Sequence, residues 1–324
     1  MEQGSKMSQS RRTIIGLSAA LLVTGLMVPP VAAQQLKEVR IGFQKAGIFP
    51  AVKQRGTLEA ALKSRGISVK WVEFQFGPPI LEAINTGNVD FGYTGDAPPI
   101  FAQAARANLL YVASVPSDGG NQAIIVPENS PIRTLADLKG KKVGFAKGSS
   151  AHNTTVAALE KVGLSYSDIT PVTLGPADAA VAFAGGNIDA WTIWDPYLAL
   201  AEKNKVRVLA SAKDVQEANS FFLANREFTG KHPEIVALLN QTFADEGKWA
   251  SANRAEVATR LHEATGVDWE ATTKAVNRSL YAVTPLTDAI IANQQQTADR
   301  FFKLGLIPKA VDVKEIVWKW TPGS

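Results

Sequence analysis

The sequence predicts an α/β protein built from two related domains. Three observations carry that prediction. Short apolar runs alternate with amphipathic ones, the alternation starts again near residue 141, and one spaced motif occurs in both halves. Strands alternating with helices imply crossover units and a largely parallel sheet. A chain of 324 residues is long enough for two such domains.

The first element is not structural. "RRTIIGLSAALLVTGLMVPPVAA" (11–33) has two arginines, an apolar run, a proline break and small residues. The apolar run is shorter than the roughly 20 residues of a membrane helix. Residues 1–33 are therefore expected to be a signal peptide cleaved after Ala33. Arg11-Arg12 fits either the twin-arginine or the general export route. Cysteine is absent, which excludes disulfides, thiolate–metal sites, a thiol nucleophile and a lipid anchor on the mature N-terminus. A free, soluble, periplasmic protein is expected.

"EVRIGF" (38–43), "VKWVEF" (69–74), "VDFGYT" (89–94) and "LLYVASV" (109–115) read as strands. Helical spacing lies between them, over 58–66, 79–87 and 99–107, each stretch closing on or just before Gly or Asn. The second set comprises "KKVGF" (141–145), "DITPVTL" (168–174), "IDAWTI" (188–193) and "VRVLA" (206–210), with helices around 154–162, 177–184 and 196–203. "NQAIIVPENSPI" (121–132) and "NSFFLANREF" (219–228) read as strands where the chain changes domain. The expected division is 34–127 with 218–324 as one lobe and 128–217 as the other. After Glu227 the chain reads as helical to about Leu304, with Trp269, Tyr281 and Phe301–Phe302 as packing residues.

The repeat is detailed. "IGFQK" (41–45) matches "VGFAK" (143–147), and "TGNVDFGYTGDAP" (86–98) matches "GGNIDAWTIWDPY" (185–197). In each, a Gly-Asn-aliphatic-Asp turn opens a strand and a second Asp follows six residues after the first: Asp90 and Asp96, Asp189 and Asp195.

Composition excludes several functions. Residues 1–33 carry Lys6, Arg11, Arg12 and Glu2, so the formal charge of +4 falls to +2 on processing, without basic runs. Nucleic acid is not an expected partner. His152, His232 and His262 lack metal-ligand spacing, and no cofactor or metal is expected.

Ligands in open α/β sheets bind beyond the carboxyl ends of the strands. Here those ends read "FQKAG" (43–47), "FQFGPP" (74–79), "YTGDAPP" (93–99), "FAKGSSAHN" (145–153) and "IWDPY" (193–197), all before helices. Helix N-termini offer free N–H groups and partial positive charge, which suits a small anion with an organic part. In "KGSSAHN", Gly148 permits a tight turn, while the hydroxyls of Ser149 and Ser150 and the amide of Asn153 are candidate donors to an oxyanion. Plain helix capping is the competing reading. Asp96 and Asp195 read equally as helix caps, with His152 a candidate partner, and Trp194 is placed to cover an apolar tail.

These residues resemble a known family. "RIGFQKAG", "VEFQFGPPILEAINTGNVDFGYTGDAPPIFAQAA", "IRTLADLKGKKVGFAKGSSAHN", "GNIDAWTIWDPY" and "QQQTADRFFKLGLIP" are similar to the aliphatic sulfonate-binding proteins, the periplasmic receptors of ABC importers. The resemblance implies a type II periplasmic-binding-protein fold: two α/β lobes joined by a hinge, with the ligand in the cleft. It implies a monomer that captures alkanesulfonates for sulfur acquisition and delivers them to a membrane permease. The ligand positions it implies are Gln44, Gly95, Asp96, Ser149, Ser150, Asn153, Trp194, Asp195 and Asn219, with Lys45, Phe76 and His152 as further candidates. Receptors for taurine or nitrate are the alternative. An enzyme on the same fold is the more distant alternative, although two such enzymes, a sulfinate desulfinase and the thiamine-precursor synthases, depend on cysteines that this chain lacks.

Overall fold

The computed structural model describes residues 36–323, so the expected signal peptide, 1–33, lies outside the described residues. Two five-stranded sheets organise the described residues. The first half gives β1 (Glu38–Phe43), α1 (Phe49–Arg55), α2 (Thr57–Lys63), β2 (Ser68–Glu73), α3 (Gly77–Asn85), β3 (Phe91–Thr94), α4 (Ala97–Ala104) and β4 (Leu109–Ser117). Next come β5 (Gln122–Pro127), β6 (Lys142–Phe145), α5 (Ser150–Lys161), β7 (Thr170–Thr173), α6 (Pro176–Ala184), β8 (Ala190–Trp194), α7 (Tyr197–Ala201) and β9 (Val206–Ser211). β10 (Ala218–Asn225), α8 (Arg226–Lys231), α9 (Pro233–Ala252), α10 (Arg254–Thr265), α11 (Trp269–Arg278) and α12 (Asp288–Lys303) complete it. Among the described residues no helix is long and apolar enough to cross a membrane.

The sheet orders are β2-β1-β3-β10-β4 and β7-β6-β8-β5-β9. They are the same order twice, so the sequence repeat is a repeat of topology. β1 pairs in parallel with β2 and β3, and β6 with β7 and β8. The strand that arrives from the other sheet runs the opposite way: β10 is antiparallel to β3 and β4, β5 to β8 and β9. The sheets are therefore mixed rather than wholly parallel. They also move one boundary: residues 122–127, grouped by the sequence with 34–127, pair entirely in the second sheet. Composition marks a strand but not its partners, which lie 60 to 90 residues away.

The repeated motif has a structural basis. Asp90 Oδ2 accepts the Arg40 N–H at 2.7 Å, and Asp189 Oδ2 accepts the Lys142 N–H at 2.7 Å. Each Asp thereby satisfies a main-chain donor beside the start of its parallel pair, one that would otherwise go unpaired. Arg40 also forms a fork on Asp90, at 2.9 and 2.6 Å.

The first-sheet core is aromatic. Phe49 stacks on Phe243 at 4.1 Å and meets Phe222 edge-on at 5.2 Å. Helix α1, absent from the sequence reading, places Phe49 there from "AGIFPAVK". Of the aromatic residues assigned to packing, Tyr281 and Phe301 are buried, but Trp269 and Phe302 are 49% and 47% exposed. The last three residues of the expected strand 219–228 instead open α8, where the Asn225 side chain accepts the Phe228 N–H at 3.0 Å.

Candidate functional site

A cleft opens where carboxyl ends of strands from both sheets meet. Its wall takes Gln44 and Lys45 from beyond β1, Tyr93, Gly95 and Asp96 from the end of β3, and Asn121 and Gln122 at the start of β5. Ser149 and Ser150 come from the β6–α5 turn, Trp194 and Asp195 from the end of β8, and Asn219 from β10. An apolar flank is added by Ile48, Phe49, Phe222, Leu261, Val276, Leu280 and Val283. The cleft is thus polar where helices α4 and α5 begin and apolar towards α10 and α11.

The polar pole is built by the β6–α5 turn. Gly148 has φ +71°, a left-handed conformation that suits glycine, and its N–H donates to His152 Nδ1 at 3.2 Å. Ser149 precedes α5 in extended conformation, and no side chain caps the helix. Among the described residues the N–H groups of Ser150 and Ala151 have no partner. Both serine hydroxyls, by contrast, are already committed. Ser149 Oγ donates to the Ala146 carbonyl at 2.7 Å, and Ser150 Oγ donates to Gln122 Oε1 at 2.6 Å. The expected hydroxyl donors therefore face the protein, and the donors left for an anion are main-chain N–H groups at a helix start.

Across the cleft, β3 comes very near this turn. A Cβ on Gly95 would lie 2.8 Å from Ser150 Cβ, so only glycine fits. Asp96 is buried, and both its oxygens accept from protein donors: the Ala97 N–H at 2.8 Å and Asn153 Nδ2 at 2.6 Å. Burial pushes its carboxyl up to about 6. Asn153 Oδ1 accepts from Arg300 Nη1 at 2.9 Å, so Asn153 links α4 to α12 behind the wall.

Asp195 is the second buried carboxylate. Oδ1 accepts the Ala199 N–H at 3.0 Å, and Arg278 Nη1 lies 3.5 Å away, while Oδ2 has no partner. Burial raises its carboxyl to about 6, with Arg278 opposing the rise. Trp194 stands edge-on to Tyr197 at 6.5 Å.

The structure brings together nine of the residues proposed from sequence: Gln44, Lys45, Gly95, Asp96, Ser149, Ser150, Trp194, Asp195 and Asn219. Three are not on the cleft wall. Asn153 is fully buried between Asp96 and Arg300. His152 is buried with its ring stacked on Phe145 at 4.8 Å, and burial pushes its imidazole down to about 4. Phe76 immediately precedes α3 in extended conformation, outside the wall. Gln122, Asn121, Tyr93 and Tyr281 line the cleft without having been proposed. Gln122 stands in "NQAII", which sequence marks only as a strand. Its amide also donates to the Ser150 carbonyl at 3.2 Å and to Thr154 Oγ1.

The chain is similar to known proteins in both sequence and fold. Residues 62–255 match the NMT1/THI5-like family. The chain is 41% identical over 313 residues to an aliphatic sulfonates-binding protein of Escherichia coli K12, covering 96% of this chain and 98% of that one. It is 35% identical over 292 residues to another from Bacillus subtilis 168, covering 88% and 86%. Among solved structures it is similar to the alkanesulfonate-binding protein SsuA from Xanthomonas axonopodis pv. citri bound to MOPS. The TM-score is 0.83 at 40% identity, over 88% of this chain and 99% of that one.

Proposed function

Because the chain belongs to the NMT1/THI5-like family and, within it, to the aliphatic sulfonate-binding proteins, we propose that it captures an alkanesulfonate and delivers it to an ABC importer for sulfur acquisition. The observation that carries this reading is the uncapped start of α5, open to a cleft whose far flank is apolar. A sulfonate keeps one negative charge and its three oxygens only accept. It suits the unpartnered Ser150 N–H at the start of α5, with the Asn219 amide and the second amide hydrogen of Gln44, whose first donates to the Tyr93 carbonyl at 3.1 Å, on the same wall. The alkyl part then runs past Trp194 towards Phe222 and Val276. Two buried carboxylates, Asp96 and Asp195, border the same cleft and disfavour a doubly charged oxyanion. Nitrate would leave the apolar flank unfilled, and taurine would set an ammonium group against it.

Calorimetry in Tris tests this reading; sulfonate buffers such as MOPS must be avoided because they compete. Linear alkanesulfonates are expected to bind and inorganic phosphate is not. Tight phosphate binding with no response to sulfonates overturns the reading. The same proposal includes export to the periplasm, cleavage after Ala33, a monomeric receptor without affinity for nucleic acid, and a membrane permease as partner. N-terminal sequencing of the periplasmic protein is expected to begin at Gln34.

A further inference from the structure

Helix α7 belongs to the second sheet: Leu198 and Ala201 lie in its core. Helix α11 belongs to the first: Val276 lies in that core. Between them sits a charge cluster. Arg278 Nη2 donates to both oxygens of Glu202 at 2.8 Å, and Lys274 Nζ lies 2.6 Å from Glu202 Oε2. Arg278 Nη1 reaches towards Asp195 on the cleft wall. The Glu202 and Arg278 side chains are only 12% and 24% exposed.

Each side of this cluster is unfavourable alone. Glu202 follows the last residue of α7, where the helix presents its negative end and an acid is misplaced. Lys274 and Arg278 are like charges four apart on one helix, a repelling spacing. The approach of α7 to α11 relieves both. Local rules broken on two elements and satisfied by one contact between them point to a role for that contact.

We infer that Arg278 and Lys274 form a latch with Glu202 that holds the two sheets together over an occupied cleft, with Arg278 also positioning Asp195. The latch rests on the sulfonate-receptor reading for its ligand but not for its geometry. Because closing it desolvates charged groups, it acts on how long the closed form lasts more than on encounter.

The chain has no native cysteine, so Val181→Cys with Glu263→Cys gives two exposed label sites, one on α6 and one on α10. Distances between spin labels there are measured with and without saturating butane-1-sulfonate, in the otherwise native chain and with Glu202→Gln. Stopped-flow fluorescence supplies rates. Saturated Glu202→Gln is expected to keep a longer, broader distance component. Its off-rate is expected to rise five- to ten-fold while the on-rate stays within two-fold, and Glu202→Asp is expected to restore most of the native behaviour. Lys274→Gln is expected to act in the same direction and serves if Glu202→Gln does not fold. Distances and off-rates unchanged in these variants overturn the latch. If the native chain does not respond to butane-1-sulfonate, the receptor reading fails and the ligand-free proteins decide. A broader distribution in Glu202→Gln then supports the latch, and an unchanged one overturns it.

Discussion

Gly95 and the two buried aspartates are the positions where single atoms govern the cleft. A methyl group at Gly95 meets Ser150 Cβ at 2.8 Å, on a backbone that cannot yield without separating β3 from α5. Gly95→Ala is expected to weaken sulfonate binding more than ten-fold, about 1.4 kcal/mol, as read by calorimetry. The aspartates set the pH response. His152 is held down to about 4 and does not titrate near neutrality. Asp96 and Asp195 are raised to about 6, above the usual value of about 3.9. Affinity is therefore expected to be flat from about pH 7 to 8.5 and to rise as pH falls through about 6. There the carboxylates gain protons while the sulfonate keeps its charge. Calorimetry across this range checks it, and Asp195→Asn is expected to remove much of the rise. The sign for stability follows from the same shifts. Each raised carboxyl contributes stability present in full below about pH 4 and lost as pH rises through about 6.

Helix α5 carries two tasks on adjacent turns. Ser150, its first residue, lies on the cleft wall with its N–H unpartnered, while Asn153, one turn in, is pinned between Asp96 and Arg300. Asn153→Ala leaves a buried carboxylate oxygen and a guanidinium without their amide. It is expected to cost about 2–3 kcal/mol in urea unfolding while any residual folded protein still binds sulfonate. Ser150→Ala behaves differently. The hydroxyl donates to Gln122 rather than into the cleft, so the affinity loss is expected to stay under ten-fold. A loss of a hundred-fold would instead assign the hydroxyl a direct contact with the ligand.

Two chain crossings, after β4 and after β9, join the sheets around the cleft. Such connections permit hinge motion. Butane-1-sulfonate is expected to make the molecule more compact in X-ray scattering. At about a hundred times its dissociation constant it is expected to add about 2.7 kcal/mol of stability, read as a rise in Tm. Unchanged scattering and melting would count against closure.

Much of this was legible in the chain itself. Local pattern located all ten strands, because apolar runs between turn residues are a property of neighbouring residues. The repeat announced two copies of one topology, and strand ends followed by helix starts pointed to the region where the cleft opens. What pattern did not reach depended on partners distant in sequence. β5 reads as a strand anywhere, yet its place between β8 and β9 is fixed by packing. Ser149 and Ser150 read as donors to a ligand until the carbonyl of Ala146 and the amide of Gln122 take their protons. Asn153 and His152 sit in the same motif but turn inward, since one face of a buried helix cannot reach the cleft. A sequence states which groups a chain possesses. Only the folded chain decides which are already satisfied, and a ligand can bind only those that are not.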